Sequence, residues 1–407
     1  MWTRRIVSDR ACRDNPAPAT EGLRYNLARF MMKLPAAFLA LILGADAAAQ
    51  SAASTGPPAL TSKSYLLVDF QSRQVLAARD PDERIEPASL TKMMTAYVAF
   101  DALRQKRITL SQTVTVSPNA ARAPGSRMFL AAGETPEVEA LLHGMIVQSG
   151  NDAAVALAEA IAGSEQAYVE MMNREAIRLH MTNSHFANVT GLPAPLHYSS
   201  ATDLVNLTAT IVSEFPQYFP IYRIHEYTHN GVTQRNRNLL LKRDPFVDGM
   251  KTGHTQSSGY CLVATAARQE RRVIAAVFDA GSDGGRFAEA QKLLNFGFES
   301  FDTVKLYARG QAIHHFPVWK GAHDLLSAGL SEDYYVTLPK GPADRLKASM
   351  ESMQPLVAPI RVGDKVGTLK LALDGKLFAE KPVVALENVS IANLFVRGWH
   401  SLRLLFQ

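Results

Sequence analysis

Strand-like runs stand at both ends of one long segment of this chain, and helical runs fill the stretch between them. Tyr65–Phe70 and Gln74–Ala78, joined by the polar Gln71-Ser72-Arg73, read as a β-hairpin. Gly259–Arg268 and Val273–Asp279 are apolar, strand-like runs parted by the polar turn Gln269-Glu270-Arg271. Between the two sets, the spacing of apolar residues predicts helices over Ser89–Arg104, Glu137–Val147, Asp152–Ala162, Tyr168–His180 and Asp203–Phe215. Gly285–Ser300 reads as a closing helix with Phe287, Leu293, Leu294 and Phe298 turned inward. The simplest arrangement is one antiparallel sheet covered by helices, so residues 60–300 are expected to form an α+β domain.

After Phe301 the texture changes. Residues 302–386 carry short β-like runs punctuated by Gly and Pro, among them Tyr334–Leu338, Lys365–Leu371 and Pro382–Leu386, which predicts a small all-β sandwich domain. It holds no triad-like cluster, and His314-His315 reads as a surface pair rather than a metal site. The end of the chain differs again. At about 100° per residue, Ile391, Leu394, Phe395, Trp399, Leu402, Leu405 and Phe406 fall on one side of a helix. Asn393, Arg397, His400, Ser401, Arg403 and Gln407 fall on the other, with Leu404 an exception and no acidic residue present. Residues 388–407 are therefore expected to form a basic amphipathic helix lying on a membrane surface, the alternative being a helix packed on its own domain.

The N-terminus is set apart from all of this. Met31-Met32-Lys33, the apolar Leu34–Leu43 and the small residues Ala45–Ala49 have the parts of a secretory signal, and the run is too short to span a bilayer. Translation is expected to start at Met31 or Met32 and cleavage to follow Ala47 or Ala49, an N-terminal anchor being the alternative. Residues 1–49 carry +3 of the chain's +5, which leaves +2 and gives no reason to expect a nucleic-acid partner. Ala52–Ser62 reads as a linker. A hydrophobic fraction of 47% describes a folded chain. Of the two cysteines, Cys12 precedes the signal, so Cys261 has no internal disulfide partner and reads as a buried strand residue.

Three short elements carry chemistry. In Ser89-Leu90-Thr91-Lys92 the serine and lysine are three apart, which places both side chains on one face of a helix. A serine hydroxyl needs a base within hydrogen-bond reach, and a lysine serves as one only when its pKa is lowered by desolvation or a neighbouring positive charge. Leu90, Met93 and Met94 suit such a dry site. In Gln148-Ser149-Gly150-Asn151-Asp152, Ser149 offers a hydroxyl to relay a proton and Asn151 an amide to hold a carbonyl; an ordinary helix N-cap at Asn151 or Asp152 is the alternative. In Lys251-Thr252-Gly253-His254, Lys251 supplies positive charge, Thr252 a hydroxyl for an anionic end group, and Gly253 room for close backbone approach.

In this order, the three elements are the signature of serine acyl-transferases that include class A β-lactamases and penicillin-binding proteins. The chain resembles the low-molecular-mass D-alanyl-D-alanine carboxypeptidases. The resemblance runs from about Leu60 to the C-terminus and includes Phe186-Ala187-Asn188 with Gly191-Leu192, the β-domain and the terminal helix. It implies a serine β-lactamase/transpeptidase-like fold, no cofactor, no metal, and removal of the terminal D-alanine from peptidoglycan pentapeptides. It also implies covalent binding of β-lactam antibiotics and an exported, periplasmic protein attached peripherally to the inner membrane. Ser89 resembles the nucleophile, Lys92 its base, and Ser149 and Asn151 the relay and positioning pair. Lys251, Thr252, Gly253 and His254 resemble the substrate-binding strand, with Arg272 the candidate strand arginine for the substrate carboxylate. Many members have an arginine where Thr202 stands here. The rivals are a class A-like β-lactamase, disfavoured because no acidic residue lies between Leu179 and Ala201, and a β-lactam sensor or cell-wall binder that acylates without turnover.

Overall fold

The computed structural model describes residues 56–341 and 345–404, with side chains described up to residue 401. The expected signal segment, and residues 52–55 of the expected linker, lie outside the described residues.

The first region begins with the hairpin β1 (Ser64–Asp69) and β2 (Val75–Arg79). Helices α1 (Lys92–Arg104), α2 (Pro118–Ala121), α3 (Val138–Val147), α4 (Asn151–Ala162), α5 (Glu165–Arg178) and α6 (Ala201–Glu214) follow. A short hairpin, β3 (Glu226–His229) and β4 (Val232–Arg235), and the one-turn α7 (Leu240–Arg243) lead into three strands. These are β5 (Val247–Thr255), β6 (Gly259–Arg268) and β7 (Arg271–Phe278), and α8 (Asp283–Ser300) ends the region. The strands form one five-stranded antiparallel sheet in the order β2-β1-β7-β6-β5. The two ends of the segment thus meet in one sheet, as their apolar patterning requires.

Alternation along each strand splits the core in two, because successive side chains point to opposite faces. Leu66, Val263, Ile274, Ala276 and Phe278 join the cluster built by α1 to α6. Leu67, Leu262, Ala264, Val273, Ala275 and Val277 pack with Phe287, Leu293 and Leu294 of α8. Every residue of α1 from Lys92 to Leu103 is buried, so this helix is the centre of the helical layer and not an amphipathic cover. Cys261 is fully buried in β6.

Several boundaries differ from expectation for local reasons. The first helix starts as a 3-10 turn, Ala88–Thr91, before α1. The β3–β4 hairpin went unread in the helical and strand patterns because its residues are mostly exposed and polar, with only Tyr227 and Val232 apolar. Its signal was the dipeptide Asn230-Gly231, both at positive φ (47° and 76°), which suits a tight hairpin turn. The end of the expected linker is tied down: the backbone and hydroxyl groups of Thr61 and Ser62 donate to the Glu289 carboxylate of α8.

The second region is all-β. Strands β8 (Phe301–Tyr307), β9 (Ala312–Trp319), β10 (Leu325–Gly329), β11 (Tyr334–Pro339), β12 (Leu346–Ser352), β13 (Leu356–Val357), β14 (Lys365–Leu373) and β15 (Lys376–Ala385) form two sheets. One is six-stranded, β12-β14-β15-β10-β9-β13, and the other pairs β11 with β8. Phe316, Leu326, Val336, Leu369, Leu371 and Val383 fill the core between them. His314 and His315 are exposed on β9. The two regions are joined by polar contacts around Asp69, whose carboxylate accepts from Arg271 Nε (2.8 Å) and Thr303 Oγ1 (2.6 Å). Helix α9 (Leu394–Leu404) ends the described chain.

Candidate active site

The 3-10 turn that presents Ser89 is compressed between two segments. Ala88 sits at φ 47°, and conformations of this kind cost of order 1–3 kcal/mol when a side chain is present. On one side lies Gly191, at φ +85°, where a Cβ would stand 1.7 Å from the Ala88 carbonyl oxygen. On the other lies Gly253 of β5, where a Cβ would stand 2.8 Å from the Pro87 oxygen. Both glycines let backbone approach backbone, and so hold the serine turn against the sheet edge.

Lys92 opens α1 one turn further on. Its Nζ donates to Ser89 Oγ (3.0 Å) and to the Thr190 carbonyl (2.6 Å), and the residue is 1% exposed. Burial, helped by the charge of Arg237 and opposed by Asp152, pushes its pKa down to about 7. A lysine in this state is partly neutral near pH 7 and can take a proton. Next to it, Thr91 Oγ1 meets His197 Nε2 at 2.7 Å, and His197 Nδ1 accepts from the Ala187 N–H. Since Nδ1 accepts, the imidazole is neutral and its Nε2 donates; burial holds its pKa down at about 4.

Ser149 and Asn151 stand at the junction of α3 and α4. Ser149 has φ 70° and is 1% exposed, and its Oγ has no protein partner. Asn151 donates from Nδ2 to the Pro124 carbonyl, while its Oδ1 is also buried and without a partner. Buried polar atoms are usually hydrogen-bonded, so these two are available to a substrate. The N-cap position belongs to Gly150, so neither Asn151 nor Asp152 is a simple cap. Asp152 instead accepts from the Met128 and Leu130 N–H groups (2.9 and 3.1 Å), which fixes the loop beside Asn151.

Lys251, Thr252 and Gly253 lie on β5, the edge strand that borders the serine turn. Lys251 is 3% exposed and donates to the Thr252 carbonyl (3.1 Å); Thr252 is 4% exposed. Burial first, then the neighbouring charges of Lys92, Arg237 and Arg286, hold the Lys251 pKa well below its ordinary value. An arriving carboxylate would reverse that shift. His254 is exposed and stacks on Tyr260 with ring centroids 4.1 Å apart.

Arg272 is not part of this group, which corrects the expectation for the strand arginine. It pairs with Ala267 at the opposite end of β7, where its guanidinium grips both oxygens of Asp248 (2.7 and 2.6 Å) and Thr265 Oγ1 (2.7 Å). Its charge is already balanced there. Thr202 is likewise occupied, its hydroxyl bonded to the Pro81 carbonyl. The arginine that does reach the candidate site is Arg237, whose Nε donates to the Gln148 carbonyl (3.0 Å) and whose charge acts on both Lys92 and Lys251. Two buried asparagines hold it: Asn236 bonds the Ile224 carbonyl (2.9 Å) and Asn238 the Gly249 carbonyl (3.0 Å). Sequence reasoning missed Arg237; the signal was an arginine between two asparagines just before the Lys-Thr-Gly strand. A second missed residue is Arg286 of α8, buried behind β5, which donates from Nη1 to the Gly253 carbonyl (2.9 Å).

Comparison with known proteins places the chain in a family. The sequence profile of D-alanyl-D-alanine carboxypeptidases matches residues 50–282, and that of the penicillin-binding protein 5 C-terminal domain matches residues 301–390. The chain belongs to the D-alanyl-D-alanine carboxypeptidase family. Among its relatives, the D-alanyl-D-alanine carboxypeptidase DacA of Escherichia coli (strain K12) is 40% identical over 360 residues, covering 86% of this chain and 89% of that one. DacF of Bacillus subtilis (strain 168) is 36% identical over 351 residues, covering 85% and 90%. The crystal structure of penicillin binding protein 5 from Haemophilus influenzae matches with a TM-score of 0.80 at 39% identity, covering 82% of this chain and 99% of that one. Membership therefore extends over both regions of this carboxypeptidase, the helix-covered sheet and the β-domain.

Proposed function

We propose that this carboxypeptidase removes the terminal D-alanine of peptidoglycan stem pentapeptides through a Ser89 acyl-enzyme. The observation that carries the reading is the buried Lys92 Nζ, 3.0 Å from Ser89 Oγ, with its pKa pushed down to about 7. Ser89 Oγ attacks the carbonyl of the penultimate D-alanine as neutral Lys92 takes its proton. The oxyanion is held by the Ser89 N–H and by a backbone N–H of β5 near His254, and one such donor is typically worth about 2.7–4 kcal/mol of barrier. Asn151 holds the substrate amide. Ser149 passes a proton to the leaving amine, D-alanine departs, and water hydrolyses the ester.

Lys251, Thr252 and Arg237 read the terminal carboxylate. Lys251 is the only one of the three that is buried among like charges, so it gains most from the anion. D-alanine release should therefore be seen from a peptide ending in D-Ala-D-Ala. Lys251→Ala should lower kcat/KM for the free acid by about 10²-fold or more while changing the C-terminal amide much less. Equal losses on acid and amide would show that Lys251 does not read the carboxylate. No D-alanine release by the unaltered enzyme would overturn the function itself. A β-lactam, which presents a reactive carbonyl and a carboxylate to the same groups, is expected to acylate Ser89.

We further infer that the exported protein rests on the outer face of the inner membrane through α9. No helix of the described residues is long and apolar enough to cross a membrane. Helix α9 leans on its own domain by its polar side: His400 Nδ1 accepts from the Lys320 N–H (2.8 Å), and the His400 ring meets Trp319 edge-on at 5.4 Å. That contact leaves Leu394, Phe395 and Trp399 outward, 80%, 91% and 63% exposed. Both expectations for this helix are thus compatible, one face on the β-domain and the other free for lipid. Burying such a side chain is worth roughly 1.5–3 kcal/mol when complete. Deleting residues 388–407 should move the enzyme from the membrane fraction to the soluble fraction with kcat retained. Unchanged fractionation would remove α9 from this role.

A further inference from the structure

A cleft of about 390 Å³ opens beside the segment that carries Arg237, lined by Arg223, His225, Leu241, Lys242, Pro245 and Val247. It adjoins a smaller hollow that shares His225, Leu241 and Lys242 and is closed by Arg235, Asn236 and Asn238. Arg223, Arg235 and Lys242 are exposed, and among the described residues none makes an ion pair or a side-chain hydrogen bond. The carboxylates nearest along the chain are mostly committed elsewhere. Asp244 accepts from Gln291 and Arg268, and Asp248 is held by Arg272. Glu226 faces Arg235 across the β3–β4 ladder as a single exposed counter-charge. The cleft is therefore cationic, with an apolar floor.

Its position gives the charge a use. Asn236 and Asn238 line the hollow, while Arg237 between them turns to the catalytic lysines. One stretch of backbone is thus the wall of both sites. The substrate proposed above is a polymer whose stem peptides carry free carboxylates beyond the D-alanine end being cut. We propose that this cleft binds such carboxylates on peptidoglycan stem peptides other than the one being cut, so that the polymer is held at a second point while one stem end is trimmed. The inference rests on the proposed carboxypeptidase function. Its floor of Leu241, Pro245 and Val247 suits the aliphatic part of a short peptide.

The test compares the full chain with the variant Arg223→Ser/Arg235→Ser/Lys242→Ser. Co-sedimentation with sacculi rich in uncross-linked pentapeptides is expected to weaken by about tenfold at low salt, and the difference is expected to vanish in about 0.5 M sodium chloride, where charges are screened. D-alanine release from the same sacculi should fall with it. Release from diacetyl-Lys-D-Ala-D-Ala, which has no carboxylate but its terminal one, should stay within about twofold. Lys242→Glu alone, an exposed change, should give the same pattern on a smaller scale and keeps the test open if the triple variant folds poorly. Unchanged sedimentation of both variants would overturn the proposal. So would an equal loss on the tripeptide, or a loss seen only with phosphatidylglycerol vesicles, which would make this a lipid site. If even the unaltered enzyme left the tripeptide intact, the carboxypeptidase reading would fall, while sedimentation would still decide the cleft.

Discussion

Ser89→Ala is expected to abolish covalent labelling by a fluorescent penicillin and to lower D-alanine release by about 10⁴-fold or more, as removal of a serine nucleophile does elsewhere. The fold should survive. Ser89 is half-buried, and its hydroxyl has one protein partner, Lys92 Nζ, which keeps its second bond to the Thr190 carbonyl when the hydroxyl is gone. The melting temperature should therefore move little. The double variant Ser89→Ala/Lys92→Ala should be no slower than Ser89→Ala, because two residues that act on one proton transfer are not additive. Intact-protein mass spectrometry after exposure to a β-lactam is the direct check. An adduct on the Ser89→Ala protein in amounts matching the unaltered enzyme would remove Ser89 from the role of nucleophile.

Lys92→Ala is the second large effect, expected to slow acylation by about 10²–10⁴-fold, the usual contribution of a positioned base. The pH dependence makes the claim sharper. Lys92 must be neutral to accept a proton, and its pKa lies at about 7. The acylation rate of the unaltered enzyme should rise tenfold per pH unit on the acid side and level off above a bend near pH 7. Arg237 is the second cause of that low value, after burial. Arg237→Gln removes a positive charge, which favours the protonated lysine, so the bend should move to higher pH. The rate at pH 7 should then fall and partly recover in more alkaline buffer. A bend that stays in place in Arg237→Gln would show that Arg237 acts on the substrate alone. The same depressed pKa has a consequence for stability. Between about pH 7 and the ordinary lysine value, the unfolded chain binds a proton at Lys92 that the folded chain does not, so this group's contribution rises with pH across that window.

The cations of the site, Lys92, Lys251 and Arg286 buried and Arg237 exposed, are each tied to their surroundings. The charges of Lys92, Arg237 and Arg286 bear on Lys251, and that of Arg237 on Lys92; Lys92, Lys251, Arg237 and Arg286 are bonded to the carbonyls of Thr190, Thr252, Gln148 and Gly253 respectively. Such an arrangement is costly without an anion and favourable with one. It is the electrostatic form expected of the proposed site, whose substrate ends in a carboxylate.

What the sequence by itself determined follows from local geometry and pattern. The three-residue spacing of Ser89 and Lys92 brings hydroxyl and amine together through one helical turn, whatever the rest of the fold does. The apolar runs at Tyr65–Phe70 and Val273–Asp279 could be assigned to one sheet because both alternate faces are apolar. The amphipathic pattern of the last helix was legible because its apolar residues recur at helical spacing on one side. Tertiary structure decided what depends on distance through space. Arg237 and Arg272 are both basic residues close in sequence to the Lys-Thr-Gly strand, and the asparagines that flank Arg237 are too weak a local signal to choose between them. Only the fold shows that Asp248 neutralises Arg272 at the far end of the sheet, while Arg237, between two asparagines bonded to backbone carbonyls, places its charge near Lys92 and Lys251. The value of about 7 for Lys92 is likewise a property of packing: it comes from burial inside the helical layer and from a charge that lies far away along the chain. The same holds for Gly191, whose need for no side chain exists only because the fold lays it on the Ala88 carbonyl of the serine turn.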